Sequence, residues 1–389
     1  MVVQKFIRRK IEHNNQQSLD GIPEQLDKIA ESIATVREYA KYFSNSTIGS
    51  QWLKECMERV KVPPTKIPLD VVTRWNSTHH MIKVALELRV HLDGFCSYIH
   101  TEEGRSKFNN CSKIAPISHE QWFILENVRN ILELFDNATE MLSGEKYLTW
   151  SLTVPVLRTI KDCLHEYEVT NGISHARWYE DTKATVVLFR DQILKEFTNR
   201  FRGMQGSLLW TVLLDPRLTA MNGFTSGERS RAKQWLIEEM NEVAIRSRSF
   251  RDLKGNENTP NDTLHDTQPS ASNKNGKNAF FNKVFTVRRK SDESAEGDTQ
   301  KSIENELEKY LALCQETNVR DPLLWWKTHC KDFPALAWLS RKWLSAVSTS
   351  VSSERLFSRT GATVTARRAR LNDNHVEMLT YIHDNMNLS

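Results

Sequence analysis

The sequence contains neither a Cys-X-X-Cys pair nor an uninterrupted apolar run of membrane-spanning length. Its six cysteines, at positions 56, 96, 111, 163, 314 and 330, are scattered, which argues against a zinc site or a disulfide framework and favours a reducing, intracellular compartment. A membrane helix needs roughly 18 consecutive apolar residues, and no segment approaches this length. The basic N-terminus, MVVQKFIRRK, has no apolar segment behind it, so a secretory signal is not expected.

A strong charge of either sign is also missing, because the 389-residue chain has a net charge of only +4. Basic residues are instead clustered locally, in the segments KFIRRK (5–10), RSRSFR (246–251), VRRK (287–290) and TARRAR (365–370). Such clusters either contact nucleic acid or lie on solvated surfaces, and the sequence leaves both interpretations open. The chain has 11 tryptophans, which indicates a substantial and mostly helical core.

One long segment is poor in hydrophobic residues. Residues 247–302 are rich in Asn, Ser, Thr, Asp, Lys and Gly, and only the island FFNKVF at 280–285 interrupts them. A segment of this composition cannot bury enough apolar surface to fold. We therefore predict a disordered linker at 247–302, between a large N-terminal part and a compact C-terminal part.

Helical periodicity dominates the N-terminal part. Apolar residues from Ile22 to Val36 recur at three- and four-residue steps, which marks one helix face. Further helices are predicted at 120–142, 152–167 and 181–201. The β-branched run that follows Pro63 and Pro64 predicts a single strand at about 66–72. A lone strand needs partners for its backbone, and no partner strand is evident in the sequence.

The C-terminal part carries clearer start and stop signals. The segment DPLLWW (321–326) is predicted to form a turn. Ser352 or Ser353 can cap a helix whose first turn holds Glu354, where a carboxylate suits the helix dipole. Gly361 is predicted to end this helix. The last helix is predicted to present an apolar face formed by Val376, Leu379, Ile382 and Met386.

Several segments, taken in order, carry a family resemblance. DPLLWW, FPALAWLSRKWL and SVSSERLFSRTGATVTARRARLNDNHVEMLTYIHDN resemble the C-terminal dimerisation region of the hAT transposase superfamily. LDVVTRWNSTHHMI resembles the TRWNST segment of that family, while EQWFILENVRNILELFDNATEMLSGEKYLT and WTVLLDPRL resemble its helical insertion region. The chain is thus similar to BED zinc-finger and transposase-like proteins of this superfamily, and we expect it to be truncated at the N-terminus.

The resemblance implies a fold and a domain order. The expected fold is mostly α, with a partial RNase H-like α/β core, a helical insertion domain and a helical C-terminal region. Residues 1–78 would be a remnant of the core, 79–246 the insertion domain and 247–302 the linker. Residues 303–389 would form the dimerisation region, which completes the core.

The resemblance also implies a catalytic site that this sequence does not complete. Family members hold two Mg²⁺ ions with an Asp-Asp-Glu triad, and the third acid maps onto Glu354. The segments that carry the two aspartates have no counterpart, nor does the BED zinc finger, and Asp20, Asp27 and Asp70 lie in no matching context. We therefore expect no enzyme activity and no cofactor, since Mg²⁺ would require an intact homologous core.

Each candidate residue has a structural alternative beside its functional role. Glu354 is either a vestigial acid or a helix-start carboxylate paired with Arg355 or Arg74. The candidate DNA-binding residues are Arg74, Trp122, Arg359, Arg367, Arg368 and Arg370. For Trp122 the functional role is to stack an unpaired base, and the alternative is packing in the core. The candidate dimerisation residues are Trp325, Trp326, Leu336, Trp343, Phe357, Leu379 and Ile382, of which the tryptophans could equally pack within the chain.

Three functions follow from these expectations. The favoured one is a catalytically inactive hAT transposase-derived protein that acts in the nucleus through dimerisation and DNA association. Its partners would be itself or related hAT proteins, and no membrane partner is expected. The second is a fragment of an active Asp-Asp-Glu DNA transposase whose N-terminal part is missing. The third is a structural interaction module that does not bind DNA.

Overall fold

A computed structural model describes residues 24–71, 75–108, 114–170, 175–255, 295–363 and 372–385. Within these ranges the chain forms fourteen α-helices and three short 3₁₀ helices, and no strand. The α-helices are α1 (Asp27–Asn45), α2 (Thr47–Arg59), α3 (Trp75–Glu87), α4 (Arg89–Ile99), α5 (Glu102–Lys107), α6 (His119–Leu142), α7 (Thr153–Glu166), α8 (Tyr179–Ser207), α9 (Ser226–Gly255), α10 (Ala295–Glu316), α11 (Pro322–His329), α12 (Pro334–Leu344), α13 (Val351–Thr363) and α14 (Asp373–Asn385). The 3₁₀ helices are Glu24–Leu26, Trp150–Leu152 and Leu209–Leu214. The mostly helical class predicted from periodicity is confirmed, and no helix in these ranges is long and apolar enough to cross a bilayer.

The chain divides into two packed units. The N-terminal unit comprises residues 1–139 and 157–202, and the C-terminal unit comprises residues 140–156 and 203–389. The predicted domain boundary after residue 78 falls inside α3, which packs against α1. The four-part division suggested by the family resemblance stays a prediction.

Helix α1 shows how apolar periodicity becomes packing in the N-terminal unit. Its buried residues Ile29, Ile33 and Val36 repeat at three- and four-residue steps, so they form one continuous apolar stripe. Helix α1 packs against α2 and α3. The chain turns into α2 because the Ser46 side chain accepts a 3.0 Å hydrogen bond from the Gly49 N–H, which caps the new helix.

The strand predicted at 66–72 is wrong for the residues that the structure describes there, 66–71, which form no regular element. A strand needs a neighbour to pair its backbone, and the described ranges contain none. A buried carboxylate holds the segment instead. Asp70 accepts two 2.7 Å hydrogen bonds from the guanidinium of Arg37 on α1 and one of 2.8 Å from Thr78 on α3. The contacts that fix this segment therefore come from helices and not from a neighbouring strand.

A buried 3₁₀ helix lies in the core of the C-terminal unit. All six residues of Leu209–Leu214 are buried. The end of such a helix leaves carbonyl groups without partners, and buried carbonyls must be paired. Tyr310 on α10 donates a 2.8 Å hydrogen bond to the Leu213 carbonyl, and the indole of Trp326 on α11 donates one of 2.9 Å to the Leu214 carbonyl. These two bonds fasten α10 and α11 to the buried 3₁₀ helix.

A carboxylate from α10 caps the start of α12. Oε1 of Glu306 accepts 3.0 Å hydrogen bonds from the backbone N–H groups of Ala335 and Leu336. The first N–H groups of a helix have no partner within the helix, so this side chain supplies one from outside. Burial raises the pKa of Glu306 to about 7, although both backbone hydrogen bonds act in the opposite direction.

Two predicted boundaries in the C-terminal unit differ from the structure. The segment 321–326 was predicted to be a turn, but residues 322–326 belong to α11. Asp321 caps this helix by accepting hydrogen bonds of 2.9 and 3.1 Å from the N–H groups of Leu323 and Leu324. Gly361 does not end α13, which continues to Thr363. A glycine that keeps helical backbone angles weakens a helix without terminating it.

The predicted linker at 247–302 is also wrong at both of its ends. Helix α9 continues to Gly255, and α10 already begins at Ala295. The residues near both ends include Arg, Lys, Glu, Gln and Ala, which have high helix propensity, and each end continues a helix that is anchored in the core. Residues 256–294 lie outside the described part of the chain.

We expect Asp70→Asn to destabilise the N-terminal unit by about 1–3 kcal/mol, since the Arg37 guanidinium would lose its carboxylate partner. Burial raises the pKa of Asp70, but the hydrogen bonds from Arg37 and Thr78 outweigh it and leave the pKa below its ordinary value of 3.8. The stability that ionised Asp70 contributes should therefore be fully present above pH 3.8 and be lost as the pH falls through the lower pKa of the folded state. Amide hydrogen exchange in α1 measures the effect. The exposed Asp162→Asn control should cost less than about 0.5 kcal/mol, and equal losses in both variants would contradict the prediction.

Glu306 leads to the opposite pH dependence in the C-terminal unit. Its carboxyl group has a pKa of about 7 in the folded chain and an ordinary pKa of 4.5, so the folded state keeps its proton to higher pH. Stability should therefore decrease as the pH rises from 4.5 to about 7 and should level off above that. Glu306→Gln keeps an acceptor for the two N–H groups but carries no charge, so it should remove this decrease. Protection factors of α12 amides measure it, with Glu308→Gln, exposed on the same helix, as the control. The same slope in wild type and in Glu306→Gln would refute the assignment.

Candidate self-association surface

Glu354 lies in the first turn of α13, as its sequence context predicts. Its side chain is exposed, and Oε1 accepts a 3.2 Å hydrogen bond from the hydroxyl of Ser350. In the described part of the chain, no three His, Cys, Asp or Glu side chains gather closely enough to hold a metal ion. The described residues around Glu354 therefore do not fit a centre of two Mg²⁺ ions.

Arg355 binds the segment that follows α6 and does not pair with Glu354. Its Nη1 donates a 3.1 Å hydrogen bond to the carbonyl of Ser143 and lies 3.3 Å from Oε1 of Glu145. Its Nη2 donates to the hydroxyl of Ser143 at 3.2 Å. The predicted pairing with Glu354 is wrong, because the guanidinium finds three acceptors on this other segment. The other suggested partner, Arg74, lies outside the described residues.

Trp122 is not available to stack on a base. It is 1% exposed within the N-terminal unit. Its indole N–H donates a 3.1 Å hydrogen bond to Asp93, and the guanidinium of Arg89 lies 5.3 Å from its ring centroid. Both partners belong to α4, so Trp122 fastens α6 to α4. The DNA-binding assignment of Trp122 is therefore wrong, and packing in the core is its role.

The other candidate DNA-binding residues are arginines near the two last helices or before α3. Arg74, Arg367, Arg368 and Arg370 lie outside the described residues. Arg359 belongs to α13, of which the structure describes the backbone at this position. In sequence, the block from Arg367 to Arg370 connects α13 to α14. Its contact with DNA stays a prediction.

Three candidate dimerisation residues belong to the core of the C-terminal unit. Trp325, Trp326 and Leu336 are 7%, 8% and 0% exposed. Tyr310 stacks on Trp326 with ring centroids 5.3 Å apart, and the two neighbouring tryptophans meet edge to face at 4.9 Å. Their assignment to an interface is wrong, because side chains with so little exposed surface cannot contact a second chain.

Trp343 packs at the edge of the same core. Its ring centroid lies 5.8 Å from that of Trp150 and 5.3 Å from that of Trp210. The ammonium group of Lys342 lies 5.2 Å from the Trp343 centroid and covers part of the remaining ring. These contacts favour packing within the chain over a role in dimerisation.

The last three candidates, Phe357, Leu379 and Ile382, are exposed at 72%, 45% and 48%. Three further large side chains on the same two helices are also exposed, Leu356 at 36%, Met378 at 59% and Tyr381 at 68%. We call these six residues the apolar surface, and the pair of helices α13 and α14 the arm. Sequence periodicity identified Leu379 and Ile382 but missed Met378 and Tyr381, which lie outside the predicted face. The available signal was a second apolar face on the same helix.

Helix α14 places most of this surface on the side turned away from α13. The hydroxyl of Thr380 lies 3.3 Å from that of Thr360 on α13, so this side of α14 faces the other helix. At about 100° per residue, the four apolar residues from Met378 to Ile382 span an arc of roughly 160° on the far side. A helix that has neighbours on one side and apolar side chains on the other is normally covered on both. The far side of α14 therefore has the character of an interface.

Two family models match the chain. Residues 306–386 match the hAT family C-terminal dimerisation region, which includes the whole arm up to Asn385. Residues 16–131 match the ZBED1 RNase-like helical domain, which covers most of the first part of the N-terminal unit.

Three known proteins resemble the chain over 92% of its length. They are "Putative AC transposase" from maize (Zea mays), 23% identical over 366 residues, "Putative AC9 transposase" from maize, 22% identical over 384 residues, and the human "Zinc finger BED domain-containing protein 4", 21% identical over 360 residues. The matched parts cover 41%, 43% and 27% of these proteins, so the chain spans less than half the length of each. Together with the match to the dimerisation region, these similarities support a hAT-family, transposase-like protein.

Proposed function

We propose that this hAT transposase-derived chain acts through self-association and that the apolar surface of the arm is the interface. The observation that carries the proposal is the exposure of six large apolar side chains on two short helices. Monomeric proteins rarely expose apolar side chains in such density, because covering them is favourable. The match of residues 306–386 to a dimerisation region supports a second copy as the occupant.

The composition of the surface suits a contact between identical copies. Between Met378 and Ile382, helix α14 carries no charged residue. Two like surfaces can therefore meet across a two-fold axis without placing equal charges against each other. Phe357 and Tyr381 add large rings, a type of side chain that is enriched at the centres of interfaces.

We also propose that the associated chains bind DNA in the nucleus. The support is the block TARRAR at 365–370, which connects the two helices of the arm. A pair of copies would carry two such blocks, and guanidinium groups bind phosphate well. The names of the relatives, two transposases and one BED zinc-finger protein, agree with a nuclear, DNA-associated role.

We propose that the chain does not catalyse strand transfer by itself. The hAT triad requires two aspartates besides Glu354, and the sequence has no counterpart of the segments that carry them. The chain spans less than half of each relative, so the activity named for those longer proteins is not carried over to it.

A finer proposal concerns the N-terminal unit, which we interpret as the helical part of an RNase H-like core. The match of residues 16–131 to an RNase-like helical domain supports it. The segment that was predicted to be a strand offers further support, because Leu69 and Val71 on it are 47% and 50% exposed. Aliphatic side chains at such positions suit a segment against which a sheet packs.

We expect the double variant Leu379→Ser/Ile382→Ser to weaken self-association at least about tenfold, since both side chains would otherwise be buried against the second copy. Sedimentation equilibrium of the full chain over a range of concentrations measures the dissociation constant. Both residues are already about half exposed in the single chain, so the variant should keep its fold.

Val90→Ser is the matched control for this experiment. Val90 is 80% exposed on α4, in the other unit, so its replacement should leave the dissociation constant unchanged. An unchanged constant in the double variant would contradict the assigned surface, and a wild-type chain that stays monomeric would contradict self-association itself.

For DNA association, we expect the affinity for a short duplex to fall steeply as the salt concentration rises. The triple variant Arg367→Gln/Arg368→Gln/Arg370→Gln should reduce the slope of log affinity against log salt concentration by about 2–3, because each phosphate contact contributes about 0.9. Fluorescence anisotropy with a labelled duplex measures the slope. Replacement of three exposed lysines, Lys309, Lys327 and Lys331, by Gln changes the net charge equally and should affect the slope far less. Equal slopes in both triple variants would show that general charge, and not the arginine block, is responsible.

A further inference from the structure

The arm is not held in place by apolar packing. Within the described residues, α13 and α14 pack on each other and on no other helix to a comparable extent. Their large apolar side chains are exposed, as shown above. The direction in which the arm presents its apolar surface must therefore be set by other contacts. These contacts lie at its base, where α13 leaves the rest of the C-terminal unit.

The base of the arm makes polar contacts with residues 142–153. Three of these contacts involve the hinge segment, residues 345–350, which joins α12 to α13. The Ser348 N–H donates to the Thr149 hydroxyl at 3.3 Å, and the Ser348 and Thr153 hydroxyls are 2.7 Å apart. Thr349 donates to the Leu142 carbonyl at 3.5 Å. They hold the hinge segment but leave the angle of the following helix free, because none of them involves a residue of α13 itself.

Arg355 supplies the missing contact from within α13. It lies one helical turn beyond the hinge segment, and its three hydrogen bonds to Ser143 and Glu145 fix a second point of the helix. A point in the hinge and a point one turn along the helix together determine the helix direction. We propose that Arg355 is a positioning residue for self-association: its guanidinium latches α13 to residues 143–145 and so sets the direction of the apolar surface. This inference rests on the proposed function of that surface.

The chemistry of the latch makes arginine necessary. The guanidinium serves a carbonyl, a hydroxyl and a carboxylate at the same time, which its planar fork of donors permits. Ser143 is buried at 4% exposure, so salt screens its two bonds little. The ion pair with Glu145 is exposed, with side chains 45% and 51% accessible, so it contributes less. Loss of Ser143 as a partner should therefore matter more than loss of the Glu145 charge.

The test compares four variants of the full chain with the wild type. Arg355→Ala should make amide exchange in α13 about tenfold faster and should also weaken self-association about three- to tenfold, since charge-assisted hydrogen bonds of this kind are lost. Arg355→Lys keeps the charge but not the fork, so it should recover less than half of both effects. Glu145→Gln should change both only slightly, and Arg320→Ala, an exposed arginine elsewhere in the same unit, should change neither.

The outcomes separate this inference from the proposed function. Faster exchange together with weaker association in Arg355→Ala, partly restored in Arg355→Lys, supports the latch as a positioning device. Unchanged exchange, or faster exchange with an unchanged dissociation constant, overturns it while leaving self-association intact. Full recovery by Arg355→Lys overturns the requirement for a fork. A wild-type chain that never self-associates overturns both proposals. If Leu379→Ser/Ile382→Ser weakens self-association and Arg355→Ala does not, only the latch is overturned.

Discussion

Two hydrogen bonds to a buried 3₁₀ helix organise the C-terminal unit. The carbonyls of Leu213 and Leu214 lie where water cannot reach them, so the unit must supply donors, and it supplies Tyr310 and Trp326. Both donors are large rings that also fill the core, which means that pairing and packing are satisfied by the same side chains. These bonds fix α10 and α11 to the buried 3₁₀ helix. Glu306 on α10 in turn binds the first N–H groups of α12 and so fixes the start of that helix. The hinge segment and the arm follow α12 in the chain, so this core also determines where the base of the arm lies.

The arm departs from the usual order of a helical pair. Two helices in a monomer normally turn their large apolar residues toward each other, whereas here threonine hydroxyls meet between α13 and α14 and the large residues face outward. Such a pair gains little stability from its own contact, because little apolar surface is buried in it. Its structure is consistent with an element that is completed by another molecule. The polar contacts at its base are therefore important, because they orient the arm where hydrophobic packing does not.

The tryptophans illustrate why residue type alone does not identify an interface. Trp325, Trp326 and Trp122 are residues of the type expected to anchor a partner or DNA, yet all three are buried within their own unit. The indoles of Trp326 and Trp122 also donate hydrogen bonds there. Large aromatic side chains stabilise cores and interfaces by the same burial of surface. Phe357 and Tyr381 differ because they remain exposed, and this appears only when the packing of the surrounding helices is known. For the same reason Glu354, which resembles the third acid of a catalytic triad, is in the described chain an exposed helix-start carboxylate bonded to Ser350.

The sequence by itself determined the helical class, most of the long helices, the position of Glu354 at a helix start and the family resemblance. These depend on local features, namely apolar periodicity, capping residues and the order of motifs, which act over a few residues at a time. Only the tertiary structure decided that residues 66–71 form no strand, that Trp325 and Trp326 are core, and that Arg355 turns to Ser143 instead of Glu354. Strand formation, burial and the choice of a charged partner depend on groups distant in sequence: Asp70 is held by Arg37, and Arg355 lies more than two hundred residues from Ser143. No local pattern records that Thr380 faces α13 while the large apolar residues of α14 stay exposed, because that depends on the helix that packs against it.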